Sequence, residues 1–257
     1  VGHTMIAFEK VIHQHNPDWV VVVGDVNATL ACSVTAKKEN IKCCHIEAGL
    51  RSGDLQMPEE INRLVTDRLS DLLLTPDFIS TQNLINEGVS QSKIRFVGNI
   101  MIDTLEANRE KAFGLNIVNI LQDNLLEGAQ QFVPAKADKI ALVTIHRPSN
   151  VDKKEILEQL LAFICDEVTK ELLVIWPIHP RTSGTIKEFG LWDRLIKTKN
   201  LVLLYPVGYH EMLRLNMDTK IMFTDSGGLQ EECCVLGTPC LTLRWNTERP
   251  ITLREHG

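Results

Sequence analysis

Ionisable and glycine-rich residues in this sequence gather where apolar runs stop. The run Trp19 to Gly24 leads into Asp25, and Lys42 to Ile46 leads into Glu47-Ala-Gly-Leu-Arg51. Lys139 to Ile145 is followed by His146-Arg147-Pro-Ser-Asn150, Leu172 to Ile178 by His179-Pro-Arg181, and Lys220 to Thr224 by Asp225-Ser226-Gly227-Gly228. In open α/β sheets, ligands bind beyond the carboxyl ends of the strands and beside helix N-termini, so these junctions are where a site is expected. At Ser226-Gly227-Gly228 two glycines turn a strand into a helix. The backbone there can approach an anion closely and aim its free N–H groups and the positive helix end at it, which makes a phosphate seat. Glu231 and Glu232 follow in the first helical turn, where a carboxylate either complements the helix dipole or accepts hydrogen bonds from a ribose diol.

Three carboxylates stand out in the first half. Asp25 and Glu47 end neighbouring strand candidates, and Glu59 opens a helix with Glu60 behind Pro58. Glu59 and Glu60 can equally be a dipole-matched first turn, and Asp25 a helix N-cap. Glu47 lies between a strand and Ala48-Gly49, has no cap to make, and reads as a group that does chemistry. His146, a proton carrier near neutral pH, stands beside the permanent cation of Arg147, a pair suited to a phosphate leaving group. His179, between Ile178 and Pro180, fits a structural or a functional role alike.

The elements that must position these groups follow from apolar periodicity. A helix is expected over Met5 to His15, stopped by Asn16-Pro17. The β-branched run Trp19 to Val23 reads as a strand buried on both faces of a parallel sheet. Helices then alternate with strands: helix 28–38, strand 42–46, helix 59–70, strand 71–75, helix 78–87, strand 94–97. After Asn99 a helical pattern and a polar stretch around Gly128 and Pro134 interrupt the rhythm, placing a linker or hinge near 99–135. Strands resume at 139–145, 172–178, 201–205, 220–224 and 240–243, separated by helices at 153–169, 184–197, 210–217 and 228–236. The fold class expected is α/β, two Rossmann-like doubly wound parallel-sheet domains covering 1–99 and 100–257.

Composition narrows the function. With 257 residues, 27 Lys+Arg against 33 Asp+Glu and 44% hydrophobic residues, the chain is an ordinary globular protein of net charge −6. The acidic balance and the absence of a basic run argue against nucleic acid and anionic membranes as partners. Apolar runs are of strand length, too short for a membrane span of ~20 residues. Seven cysteines, an odd number without CxxC spacing, read as small buried thiols in a reducing, cytoplasmic compartment, with neither a disulfide framework nor a metal site. No signal peptide is visible, the first residue is Val1, and both ends read as truncated.

Taken in order, Gly24-Asp25, His45-Ile-Glu-Ala-Gly-Leu-Arg-Ser-Gly-Asp54, Pro58-Glu-Glu-Ile-Asn-Arg63, Val97-Gly-Asn-Ile-Met-Ile-Asp103, Thr144-Ile-His-Arg147, Pro177-Ile-His-Pro180, Asp225-Ser-Gly-Gly-Leu-Gln-Glu-Glu232 and Thr247-Glu-Arg-Pro250 resemble the non-hydrolysing UDP-N-acetylglucosamine 2-epimerases. Each motif is unspecific by itself; the ordered set, from Trp19 to Pro250, is specific. The resemblance implies a glycosyltransferase-B-like fold with a UDP-sugar held in the cleft between two domains, no cofactor, and a homodimer. It implies interconversion of UDP-GlcNAc and UDP-ManNAc by elimination of UDP to a 2-acetamidoglucal and re-addition. Asp25, Glu47, Glu59 and His146 match the family's catalytic positions; Ser226, Gly227, Gly228, Glu232 and Arg249 match positions that hold UDP, and His179 lies in a motif resembling part of an activator site. The carboxylate that removes the proton is not assigned. A hydrolysing 2-epimerase, a glycosyltransferase of the same fold and an inactive UDP-sugar-binding remnant are the alternatives.

Two departures carry an expectation of their own. Relatives begin with a strand and a Gly-Thr-Arg-Pro-Glu-like loop that supplies an Arg and a Lys near the diphosphate, and they close with C-terminal helices; neither is found here. Val26 follows Asp25 where relatives often carry Thr. A 257-residue polypeptide acting alone is therefore expected to turn over poorly, whereas a longer parent is expected to be a working enzyme.

Overall fold

The computed structural model describes residues 1–128 and 139–253. Its contacts divide the chain into two compact units: Val1–Ile100 together with 246–253, and Met101–Trp245. The return of 246–253 to the first unit differs from the expectation that everything after residue 99 groups together, and it carries Arg249 with it.

The first unit alternates helix and strand: α1 (Gly2–His15), β1 (Trp19–Val23), α2 (Asn27–Lys38), β2 (Lys42–Ile46), α3 (Pro58–Leu69), β3 (Leu72–Thr75), α4 (Phe78–Asn86) and β4 (Ile94–Phe96). The strands are parallel, in the order β1-β2-β3-β4. Right-handed crossovers along a sheet that grows in one direction put every connecting helix on the same face. Val20, Val22 and Cys43 accordingly pack with Ile12 of α1 and Ala36 of α2. The alternate residues of β1 face outward: Trp19 is 42%, Val21 58% and Val23 50% exposed. The reading of this run as buried on both faces is thereby corrected. A continuous apolar run shows that a strand forms, but topology decides whether the second face is covered.

The second unit holds α5 (Ile100–Phe113), α6 (Ile117–Asp123), β5 (Ile140–Thr144), α7 (Pro148–Val151), α8 (Lys154–Ala162), α9 (Thr169–Glu171), β6 (Leu173–Pro177), α10 (Pro180–Glu188), α11 (Trp192–Lys197), β7 (Leu201–Leu204), α12 (Tyr209–Asp218), β8 (Ile221–Thr224), α13 (Gly227–Leu236) and β9 (Cys240–Thr242). The strand order β7-β6-β5-β8-β9, all parallel, reverses direction beside β5 and is doubly wound. Odd and even residues feed two separate cores. Ala141, Val143, Val174 and Trp176 pack with Leu157 and Leu161 of α8 on one face. Leu142, Ile175, Val202 and Met222 pack with Ile120 and Leu121 of α6 and Leu215 of α12 on the other.

Several expected boundaries shift for physical reasons. The stretch near 99–135 is no linker over its first part: α5 places Leu105 and Ala112 against Leu213, and α6 lies on the sheet. Residues 129–135 of that expected hinge lie outside the described residues. Gly190, at φ 72°, breaks the helix expected at 184–197 into α10 and α11. The segment between α8 and α9, Phe163–Val168, is π-helical. The thiols are not uniformly buried: Cys234 is exposed, and Cys32 and Cys240 are half-buried. Among the described residues, no helix is long and apolar enough to cross a membrane.

Candidate active site

In the first unit, β1 and β2 run side by side and end at Gly24-Asp25 and Glu47. Gly24 adopts φ 66°, in the left-handed region that L side chains avoid, and a Cβ placed on it would stand 3.4 Å from Glu47 Oε2. Glu47 itself has φ 69°. A non-glycine residue held in that conformation is strained and persists only where its surroundings determine it strongly. Two residues on, Gly49 (φ 86°) passes so close to the backbone of Ser80 that a Cβ would overlap its carbonyl oxygen, so glycine alone fits there. The Glu47 carboxylate is mostly shielded and lies 3.5 Å from Arg249 Nη2.

Helix α3 supplies the groups behind these two acids. Its buried residues are Glu60, Asn62, Arg63, Thr66 and Asp67, a polar face where an ordinary helix buries apolar side chains. Arg63, 1% exposed, donates to Asp25 Oδ2 at 2.5 Å and to Glu60 Oε2 at 2.6 Å. Asn62 donates to the Asp25 carbonyl at 2.8 Å. Glu60 in turn accepts from the Ser52 and Gly53 N–H groups at 3.0 and 2.9 Å. Burial pushes its carboxyl pKa up, but these donors and Arg63 hold it below the usual value on balance. Asp25 is therefore half-exposed on one side and anchored to a buried cation on the other. Glu59, in the first turn of α3, is half-buried and has no hydrogen-bond or ion-pair partner among the described residues.

In the second unit the sheet changes direction beside β5, and that is where the polar residues meet. Asp225, fully buried at the end of β8, accepts from the His146 and Arg147 N–H groups at 3.0 and 2.9 Å and from Asn150 Nδ2 at 2.9 Å. His146 Nδ1 lies 3.0 Å from Asp225 Oδ1. With Nδ1–H pointing at a carboxylate, Nε2 is the ring nitrogen left for a ligand. Burial pushes the Asp225 pKa up, but His146 and the other donors lower it on balance, so the carboxylate stays charged.

His179 caps α10: its Nδ1 accepts the Arg181 N–H at 3.1 Å, which leaves Nε2–H as a donor. Burial, His146 and Arg181 all lower its pKa, keeping the ring neutral. The two imidazoles sit 5.7 Å apart and line a cavity of about 200 Å³ with Thr144, Pro177, Ser226 and Leu229. Ser226 is the N-cap of α13, and Gly227 and Gly228 form its first turn, so the free N–H groups of a ten-residue helix start here. Glu232, buried one turn further along, has its pKa raised to about 7 by burial and by Glu231.

The structure thus brings Asp25 and Glu47 to neighbouring strand ends in one unit, and His146, His179, Ser226, Gly227 and Gly228 to one cavity rim in the other. Arg249 belongs with Glu47 in the first unit. Sequence reasoning gave no role to Arg63 and Asn150, which lie within its motifs, and did not name Asp67. Arg63 and Asp67, with Glu60, recur at i, i+3 and i+7 along α3, a charged stripe of helical period that signals a common face; Asn150 had no such signal.

The UDP-N-acetylglucosamine 2-epimerase family model matches residues 1–257. The chain belongs to that family. It is 43% identical over 255 residues to a UDP-N-acetylglucosamine 2-epimerase of Methanococcus maripaludis, covering 98% of this chain and 67% of that one. A crystal structure of the Methanocaldococcus jannaschii UDP-GlcNAc 2-epimerase in complex with UDP-GlcNAc and UDP is 42% identical, with a TM-score of 0.87 over 98% of this chain and 67% of that chain. The Neisseria meningitidis UDP-GlcNAc 2-epimerase bound to UDP-GlcNAc superposes with a TM-score of 0.83 at 31% identity, over 97% of this chain and 65% of that chain. The chain spans about two thirds of the length of these family members. Glycosyltransferase-B-like architecture, expected from the ordered motifs, is that of the family.

Proposed function

We propose that this protein interconverts UDP-GlcNAc and UDP-ManNAc. The sugar C2–H has no adjacent carbonyl to acidify it, so its proton leaves as the C1–O bond to UDP breaks, giving a 2-acetamidoglucal. The proton then returns to the opposite face of C2, and UDP adds back at C1. Such a step needs a base and carboxylates beside an oxocarbenium-like carbon, with cations and N–H donors at the departing diphosphate. Asp25, Glu47 and Glu59 are assigned the acidic roles. His146 and Arg147 are assigned to the leaving group, Ser226, Gly227 and Gly228 to the nucleotide's anionic part, Glu232 and Arg249 to the rest of UDP, and His179 to substrate binding as part of an activator site. The reaction is read as epimerisation without net hydrolysis, carried out by a homodimer in the cytoplasm.

The observation that carries this reading is Glu47, a mostly shielded carboxylate in a left-handed backbone conformation beside Asp25 in a chain of this family. A residue kept there at a conformational cost of order 1–3 kcal/mol is there for its carboxylate. Incubating the full-length polypeptide with UDP-GlcNAc alone in deuterated water tests it. UDP-ManNAc carrying deuterium at C2 is the expected product. Release of free ManNAc would make the protein a hydrolysing epimerase, and an unchanged C2–H after prolonged incubation would leave a UDP-sugar-binding protein instead. Sedimentation at micromolar concentration checks the dimer.

A further inference from the structure

Behind Glu47 lies a buried ion pair that touches neither the carboxylate of Glu47 nor that of Asp25. His45, fully buried, places Nδ1 2.6 Å from Asp67 Oδ1 and Nε2 2.8 Å from the Gly24 carbonyl oxygen. A carbonyl only accepts hydrogen bonds, so Nε2 carries a proton. Asp67 also accepts the Gly49 N–H at 3.0 Å and Arg51 Nη1 at 2.7 Å, the pattern of a carboxylate, so Nδ1 carries a proton as well. The imidazole is then a cation whose counter-charge is Asp67, and Arg51 is balanced by Glu87 at 2.7 Å. Of these four charges His45 and Asp67 are buried, Arg51 is mostly shielded and Glu87 is exposed, so the buried part of the cluster is balanced within itself and Arg51 is paired at the surface.

The cluster grips the Glu47 segment on both sides. On the N-terminal side, His45 ties the end of β2 to Gly24, whose carbonyl belongs to the peptide leading into Asp25. On the C-terminal side, Asp67 holds Gly49 N–H and Arg51. Between these grips, Glu47 sits in its left-handed conformation. We propose that the His45–Asp67 pair is the positioning element of the site: a cationic His45, held by Asp67, fixes Glu47 and the Gly24-Asp25 turn relative to each other so that the two carboxylates act on one substrate. The inference rests on the epimerase reading for its activity readout, but its geometry and charge state stand apart from that reading.

Asp67→Asn and His45→Gln in the full-length polypeptide test it, each compared with the parent enzyme at equal folded fraction by circular dichroism. Each variant is expected to lose 10- to 100-fold in kcat, with KM for UDP-GlcNAc and the dissociation constant of UDP within about threefold of the parent. Because the two residues work as a unit, the double variant is expected to fall no more than about twofold below the worse single variant. Losses that multiply in the double variant, a rise in KM at unchanged kcat, or full activity in either single variant would overturn the proposal. Nitrogen NMR of the parent protein with labelled histidine gives a readout that needs neither activity nor a variant. It should show one buried imidazole with a proton on Nε2, facing Gly24, and one on Nδ1, facing Asp67; a ring without the Nε2 proton refutes the grip on Gly24, and a ring without the Nδ1 proton refutes the charge pair with Asp67. An inactive parent enzyme with a doubly protonated His45 would count against the epimerase reading and leave the positioning element in place.

Discussion

The two units solve one problem, holding polar groups at strand ends, in opposite ways. In the first, side-chain charges hold side-chain charges: Arg63 anchors Asp25 and Glu60, and Asp67 anchors His45 and Arg51, all from the buried face of α3. In the second, one fully buried carboxylate, Asp225, gathers backbone N–H groups and one imidazole, while a glycine-rich helix start offers further N–H groups. The sheets differ in the same sense. The second sheet is covered on both faces, and its strand ends are tied together through one carboxylate, Asp225. The first leaves alternate residues of β1 exposed, and its strand ends are fixed by a charged network. Groups that must exchange protons gain from being set among tunable charges, whereas groups that grip an anion gain from rigid backbone donors.

The largest effect expected from this contrast is on turnover in the first unit. Glu47→Gln or Asp25→Asn removes a charge and barely alters shape, so kcat should fall about 10²- to 10⁴-fold while UDP binding by calorimetry stays within a few-fold. A comparable loss of UDP affinity would mean that the acids serve binding, and the division of labour would fail. Asp225→Asn probes the other side. It removes the charge shared by His146, Arg147 and Asn150 and turns one of the two acceptor oxygens into a donor, and should cost about 3–5 kcal/mol of stability in denaturant titration. Because the folded pKa of Asp225 lies below its ordinary value of 3.8, its contribution is complete above that value and is lost as the pH falls through the folded pKa. The variant should therefore show a flatter stability profile below about pH 4.

Core truncation measures the sheets themselves. Leu142, fully buried at the centre of the doubly covered sheet, should cost about 2–5 kcal/mol as Leu142→Ala. A smaller change is expected for Glu232→Gln, and here the sign is reversed relative to Asp225. The Glu232 pKa rises from 4.5 to about 7 on folding, so the folded state holds a proton that the unfolded chain has released. Its contribution is fullest below pH 4.5 and is lost as the pH rises to about 7; the Gln variant should remove that slope from a thermal-melting series.

What could be read without coordinates follows from the same contrast. In the second unit, β5, β6 and β7 are buried at every position, so their apolar runs announce them and the alternation of helix and strand holds. The glycine-rich start of α13 was legible because two adjacent glycines after a strand mark a turn into a helix. The first unit hid more. Glu60, Arg63 and Asp67 look like the solvated face of a helix, since periodicity shows that residues share a face and not which way it points. Asp25 and Glu47 could be placed at strand ends, but the left-handed backbone of Glu47 and its hold by His45 and Asp67 depend on contacts between residues 18 to 22 apart in sequence. The helices at 100–123 read as part of a connection, since helical spacing without a flanking strand gives no sign of what the helix packs on.

The open face of the first sheet gives the smallest effect and the sharpest check on this account. Val21 stands at the middle of edge strand β1, with more than half of its surface in water and Trp19 and Val23 to either side. Exposed substitutions away from buried contacts change stability by within about 0.5 kcal/mol, and Thr keeps the β-branch that suits a strand. Val21→Thr in the 257-residue chain should therefore leave the unfolding midpoint in urea almost unchanged. Val20→Thr, one residue along and turned toward α1 and α2, places a hydroxyl in an apolar cluster and should be clearly destabilising. Equal losses for the two would mean that both faces of β1 are covered in solution. The contrast between the exposed alternate residues of β1 and the fully covered strands of the second sheet would then have to be given up.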